Sequence, residues 1–177
     1  IKREKVILAV GRLNDYLKGF DLLIESFAKL KNQDWELHIA GGDEEGEALK
    51  EQAERLGVIN RIKFLGKVKE IDKCYAYAGM FVIPSRSEGF PNALAEAMTA
   101  GCCCIAFDFV AGPADIIKDK ENGFLVKSGD VSSLTQTIDN LICDNQLRLN
   151  LSNNAIYLKD FLNKKIVVNK ILNFINN

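Results

Sequence analysis

The chain has 177 residues, 47% hydrophobic and 27% charged, with 23 Lys+Arg against 24 Asp+Glu for a formal net charge of -1. That composition excludes a disordered chain, and the charge balance argues against a general nucleic-acid binder, which carries a strong basic excess. One domain of this length buries roughly 70% of its unfolded surface, so its core needs no disulfide or metal staple.

Val6-Ile7-Leu8-Ala9-Val10 is a nearly continuous apolar run ending at Gly11, which predicts a buried strand. It follows Ile1 almost directly, with no signal h-region or cleavage site. Such an abrupt start is expected of a piece cut from a longer protein. Asp21 to Leu30 has helical spacing, with Leu22, Leu23, Phe27 and Leu30 on one face. Trp35 to Ala40 predicts a strand closed by Gly41-Gly42. Glu44 to Leu56 predicts a helix with Asp43 as N-cap and Gly57 as its C′ residue. Arg61 to Leu65 is a third strand, Lys69 to Ala78 a short helix, and Met80 to Pro84 a fourth strand. Asn92 to Ala100 is a helix that opens on Pro91 and stops at Gly101. Cys102 to Phe107 is a strand, Ala114 to Lys118 a helical turn, and Gly123 to Val126 a sixth strand. Val131 to Cys143 is a helix, with one or two more after it.

Short buried strands alternating with helices imply βαβ units. The expected fold is α/β: a single doubly wound, Rossmann-like domain over 1–177, with a central, mostly parallel sheet of about six strands. The longest apolar runs fall far short of the roughly 20 residues of a membrane span. Five cysteines, with Cys102, Cys103 and Cys104 adjacent, do not make a disulfide framework. Neighbours on a strand face opposite ways, so the triplet does not converge on one metal. The cysteines are expected to be small buried hydrophobes in a reducing cytoplasm.

Ligands of such sheets bind at the carboxyl ends of the strands. After the first strand, Gly11-Arg12-Leu13-Asn14-Asp15-Tyr16-Leu17-Lys18-Gly19 offers a glycine, two cations and a helix start. A planar guanidinium, a mobile ammonium and a helix N-terminus together suit a diphosphate, although two solvated loop charges would read the same way. The segment is neither a P-loop nor Gly-x-Gly-x-x-Gly. Gly41-Gly42 reads more simply as a tight turn than as a ligand contact, and Asp43-Glu44-Glu45 as a favourable first helical turn.

The densest segment runs from Pro84 to Met98. It holds Ser85, Glu88, Gly89, Phe90 and Pro91 in a loop and Glu96 on the following helix. Ala93, Leu94, Ala97 and Met98 look like core, and a glutamate among them is costly without partners. A ribose diol would supply such partners; water or a lysine would too. Two carboxylates also serve glycosidases, at about 5–9.5 Å, and sequence does not set the separation of Glu88 and Glu96. His38, within a strand, reads as a packed structural histidine.

Taken together, Gly11-Arg12-Leu13 with Lys18-Gly19, Phe64-Leu65-Gly66, Pro84-Ser85, Glu88-Gly89-Phe90-Pro91, Glu96-Ala97-Met98, Gly101 and Asn122-Gly123 resemble the C-terminal domain of a family 4 retaining glycosyltransferase. The resemblance runs from about Val6 to Cys143, and its most specific element is the Glu-x7-Glu pair of Glu88 and Glu96. It implies the GT-B fold, two Rossmann-like domains facing across a cleft, of which this chain is the nucleotide-sugar-binding half. The N-terminal acceptor domain is expected to be absent. By resemblance Arg12 and Lys18 hold the diphosphate, Glu96 the ribose and Glu88 the sugar hydroxyls near the reacting carbon. Gly11, Gly89, Phe90 and Pro91 line the sugar and phosphate site, and Gly66-Lys67-Val68 flanks the base. The resemblance also implies catalysis without a metal ion or cofactor, the nucleotide sugar being the substrate.

Ser85-Arg86-Ser87-Glu88-Gly89-Phe90-Pro91-Asn92-Ala93-Leu94 with Gly112-Pro113 is similar to bacterial enzymes that use UDP-HexNAc donors for surface polysaccharide or glycan-lipid assembly. A UDP-sugar donor, a glycan or lipid-linked acceptor and a cytoplasmic location follow, with peripheral contact to the inner membrane face an open possibility. Cys102-Cys103-Cys104 departs from the family's usual Pro-Val. The tail from Asp160 to Ile175 could lie on a membrane surface as an amphipathic helix, with packing on the domain the favoured reading. The competing reading of the whole chain is a stand-alone nucleotide-binding or regulatory module without turnover. A receiver-like domain would need acidic residues where Gly11-Arg12 stand.

Overall fold

Six short apolar runs pair edge to edge, the central ones covered on both faces and the two outermost only in part. The structure, a computed structural model, describes residues 3–42, 46–110 and 112–157. The strands are β1 (Glu4–Val10), β2 (Glu36–Ala40), β3 (Ile62–Gly66), β4 (Ala78–Ile83), β5 (Cys103–Asp108) and β6 (Phe124–Lys127). The helices are α1 (Phe20–Ala28), α2 (Glu47–Arg55), α3 (Ile71–Tyr77), α4 (Asn92–Thr99), α5 (Pro113–Ile116), α6 (Val131–Cys143) and α7 (Asn145–Ile156), with 3-10 turns at Tyr16–Lys18 and Ile59–Arg61.

The sheet order is β3-β2-β1-β4-β5-β6 and the strand pairs are parallel. From β1 the chain winds outward through β2 to β3, then returns to place β4 on the other side of β1. Right-handed crossovers therefore deliver the two sets of helices to opposite faces. α1 packs beside α2 and α6, while α4 packs beside α3 and α7. β4 is buried along its whole length, as are Val6 to Ala9 of β1 and the apolar residues of β5.

Helix ends follow local chemistry. α2 ends in a Schellman motif, with the Val58 N–H on the Ala53 carbonyl and the Gly57 N–H on that of Glu54, both at 2.9 Å. α4 ends the same way through Gly101 and Cys102. Asp130 and Asp144 cap α6 and α7 by accepting from the N–H groups of Ser133 and Leu147.

Three differences from the sequence reading have physical causes. Pro91 is the N-cap of α4 and not its first helical residue: its ψ of 68° is not helical, and its ring is buried against Gly112. α3 runs straight into β4 at Ala78. Arg3 donates to the carbonyls of Tyr75 at 2.7 Å and Ala78 at 2.8 Å, which satisfies the backbone at the junction without a loop. Cys143 is exposed, while Cys74, Cys102, Cys103 and Cys104 are buried and unbridged. α2 begins at Glu47 with Gly46, at φ 59°, as its N-cap, so Asp43 does not cap it; Asp43-Glu44-Glu45 and the tail from Asp160 to Ile175 lie outside the described residues.

Gly19 fixes how α1 meets the sheet. Its φ is 67°, and a Cβ there would fall 1.9 Å from the Pro84 carbonyl oxygen. Gly57, at φ 71°, has open space around it. Gly57→Ala should therefore cost only the left-handed penalty of about 1–2 kcal/mol. Gly19→Ala should cost clearly more, because α1 must also move off the Pro84 loop. Urea denaturation of both variants checks the difference.

Candidate functional site

The strand order reverses between β1 and β4, and successive connections leave these neighbours on opposite faces. That divergence opens a crevice at their carboxyl ends. Its walls are the residues after β1, Gly11 to Gly19, and those after β4, Pro84 to Pro91.

The first wall is a turn whose form is set by Asp15. The Asp15 carboxylate accepts from the Leu17 N–H at 3.0 Å and caps the Tyr16–Lys18 3-10 turn. The same carboxylate pairs with Arg12 at 2.8 Å, with the Arg12 side chain 73% exposed. The 3-10 turn brings the Lys18 stem back over Gly11, where a Cβ would lie 3.0 Å from Lys18 Cδ. The Gly11 N–H donates to the Ala40 carbonyl at 2.9 Å.

The second wall supplies the acid. Glu88 Oε1 lies 3.1 Å from Lys18 Nζ and accepts from the buried Ser85 hydroxyl at 2.6 Å. Lys18, Ser85 and Glu88 are thus one constellation drawn from both loops. The two walls are also tied by Arg86, whose N–H donates to the Leu17 carbonyl at 2.7 Å. Its guanidinium donates twice to Asp21, at 2.8 and 2.7 Å. Burial would raise Asp21, but the hydrogen bond and charge of Arg86 outweigh it and hold the carboxyl below its ordinary value.

Gly89 and Phe90 are exposed at the crevice, and Pro91 is buried at the start of α4. Val68, just beyond β3, packs against the core. Gly41 serves the strand ends: a Cβ on it would lie 2.6 Å from the Gly11 carbonyl oxygen, so it lets β1 and β2 finish side by side.

Glu96 corrects the sequence reading. It is exposed, while Leu94, Ala97 and Met98 are buried. Residues one and two apart on a helix do not face each other, so sequence neighbours in the core do not make Glu96 a core residue. Its partner is Tyr75 of α3, whose hydroxyl donates to Glu96 Oε2 at 2.9 Å. Burial, and then the Glu96 carboxylate, push the Tyr75 phenol above its ordinary 10.0. Asp15, Tyr75 and the Arg86–Asp21 pair escaped the sequence reading. Asp15 carried a local signal, as a side chain two residues ahead of an N–H it can cap. The others meet their partners only through the fold.

His38, 8% exposed, contacts the Tyr77 hydroxyl and Glu36, each at 2.9 Å. Among the described residues, no group of three His, Cys, Asp or Glu is arranged to hold a metal ion. Nor is any helix among them long and apolar enough to cross a membrane.

Residues 1–157 match the family described as "Glycosyl transferases group 1". The amylovoran biosynthesis glycosyltransferase AmsD of Erwinia amylovora is 34% identical over 177 residues, covering 97% of this chain and 49% of that protein. Anabaena HepE, solved in complex with UDP, superposes with a TM-score of 0.86 at 26% identity, covering 96% of this chain and 48% of that one. The C-terminal domain of a group 1 family protein, LpcC, from Francisella tularensis gives a TM-score of 0.80 at 27% identity, covering 91% of this chain and 87% of that one. The chain spans about half the length of the curated relatives it matches.

Tyr75→Phe should cost about 0.5–1.5 kcal/mol near neutral pH. The folded phenol holds its proton more tightly than the unfolded one. Its contribution is therefore fully present below the unfolded value and is lost as pH rises beyond it. Urea unfolding from about pH 9 to 11 should show wild type losing stability faster than Tyr75→Phe, by up to about 1.4 kcal/mol per pH unit.

Proposed function

The chain belongs to the group 1 glycosyltransferases, and on that footing we propose that it is the donor-binding, C-terminal half of a retaining, family 4 enzyme of the GT-B fold. The whole enzyme moves a hexosyl or HexNAc unit from a UDP-sugar to a glycan or glycan-lipid acceptor in bacterial surface polysaccharide synthesis. The observation that carries the reading is the Lys18–Ser85–Glu88 constellation at the β1–β4 reversal, where two loops from opposite walls meet within 3.1 Å. The UDP complex of HepE supports a uridine nucleotide, and the name of AmsD supports polysaccharide synthesis. The likeness to a separately solved C-terminal domain, together with half-length coverage of the relatives, supports a missing acceptor domain.

In this reading Arg12 and Lys18 hold the diphosphate and stabilise the charge that develops on it as the sugar departs. Both already carry carboxylate partners, Asp15 and Glu88. The Arg12 pair is exposed, worth about 0–1 kcal/mol, and so is readily exchanged for phosphate. A diphosphate at Lys18 takes over its charge and frees Glu88 for sugar hydroxyls. Gly11, Gly89, Phe90 and Pro91 line the phosphate and sugar, Glu96 accepts from the ribose and Val68 flanks the base. The acceptor hydroxyl is the nucleophile, presented by the N-terminal domain at the cytoplasmic face of the membrane. The nucleotide sugar is substrate, and neither metal ion nor cofactor takes part.

Thermal denaturation with UDP, GDP, ADP and their sugars tests the reading. At about 100 times its dissociation constant, UDP should add roughly 2.7 kcal/mol, with or without chelator. Lys18→Ala should weaken UDP about tenfold or more and leave uridine nearly unchanged, since charge-assisted hydrogen bonds are worth about 1.5–3 kcal/mol. Glu96→Ala should weaken both ligands. The chain alone should bind donor without transferring it. A shift with no nucleotide, or equal losses across all variants and ligands, overturns the assignment.

A further inference from the structure

Arg86 lies between the recognised site residues and has no role in the donor reading. Its backbone and side chain nevertheless make four hydrogen bonds to one neighbouring segment. The Arg86 N–H donates to the Leu17 carbonyl at 2.7 Å. Its Nη1 donates to the Tyr16 carbonyl at 2.8 Å and to Asp21 Oδ1 at 2.8 Å, and its Nη2 donates to Asp21 Oδ2 at 2.7 Å. Its guanidinium carbon sits 3.8 Å from the centroid of the Tyr16 ring, within cation–π range. The side chain is only 20% exposed, so these contacts are shielded from much of the competition with water.

Every target belongs to the segment that carries Lys18. Tyr16 and Leu17 form the 3-10 turn with Lys18, and Asp21 is in the first turn of α1. Arg86 itself is one residue from Ser85 and two from Glu88. We infer that Arg86 is a positioning residue: through Asp21 and the Tyr16 carbonyl and ring, it holds the Lys18 turn against the Ser85–Glu88 loop, so that cation and carboxylate face one donor. A lysine cannot replace it. A single ammonium cannot fork onto both Asp21 oxygens while donating to Tyr16 and lying flat over the ring.

The inference rests on the donor reading for its ligand but has a readout without one. In Arg86→Gln, the amides of residues 17–19 should exchange with deuterium several-fold faster in the ligand-free protein, while those of β4 keep their wild-type rates. UDP affinity should fall about tenfold, and uridine affinity should change less than twofold. Arg86→Lys should behave like Arg86→Gln. Asp21→Asn should reproduce the loss, and the double variant Arg86→Gln/Asp21→Asn should be no worse than the poorer single one. If Arg86→Gln does not fold, Asp21→Asn carries the same measurements. Wild-type UDP binding with unchanged affinity and exchange in the variants overturns this inference alone. Equal losses for UDP and uridine, tracking lost stability, also overturn it, since they mean general destabilisation. No UDP binding by the wild type overturns the donor reading and this inference with it.

Discussion

The site depends on one close approach, that of the Gly19 backbone to the Pro84 carbonyl. Where a side chain would meet that oxygen at 1.9 Å, glycine lets the turn after β1 lie directly on the loop after β4. The topology puts the two loops side by side, because the strand order reverses between β1 and β4. The missing side chain then lets them touch. With that contact made, Lys18 reaches Glu88 and Arg86 reaches Asp21. Residues distant in the chain become one surface. A bulkier residue at 19 would leave the sheet intact and part the two walls.

The loop cations on this surface are each answered by a carboxylate. Arg12 and Lys18 each have a carboxylate at about 3 Å. The Arg12 side chain is exposed, so its pair is held weakly, whereas Lys18 and Glu88, 21% and 12% exposed, are as shielded as Arg86. In the proposed donor complex a diphosphate replaces these acids as the cations' partner. Arg86 differs. Its attachments are within the protein, two of them to the same carboxylate, so it is committed to the fold. The near-zero net charge agrees with this arrangement: cations at the crevice are answered locally and do not form a basic face.

Much of the fold was legible because burial on both faces writes itself as short apolar runs. All six strands appear where such runs occur, and glycine marks the ends of α2 and α4 correctly. The errors are instructive. The Tyr16–Lys18 turn has no hydrophobic period to betray it; its cause is the Asp15 carboxylate meeting the Leu17 N–H. The junction of α3 and β4 lacks a loop because a guanidinium from Arg3 satisfies its carbonyls, which no local pattern announces. Glu96 seemed hemmed in by core residues because the chain is read in one dimension, whereas a helix turns consecutive side chains away from one another.

The sequence by itself determined the alternation of strand and helix, the doubly wound class, the two loops of the candidate site and the residue types in them. These follow from local composition and periodicity, which each segment carries within itself. Only the tertiary structure decided which groups meet: Lys18 with Glu88 and Ser85, Glu96 with Tyr75, and Arg86 with Asp21 and Tyr16. Such pairings depend on strand order and on the depth to which two loops can approach. Those are properties of the packed whole, set by non-local contacts that no single stretch of sequence contains.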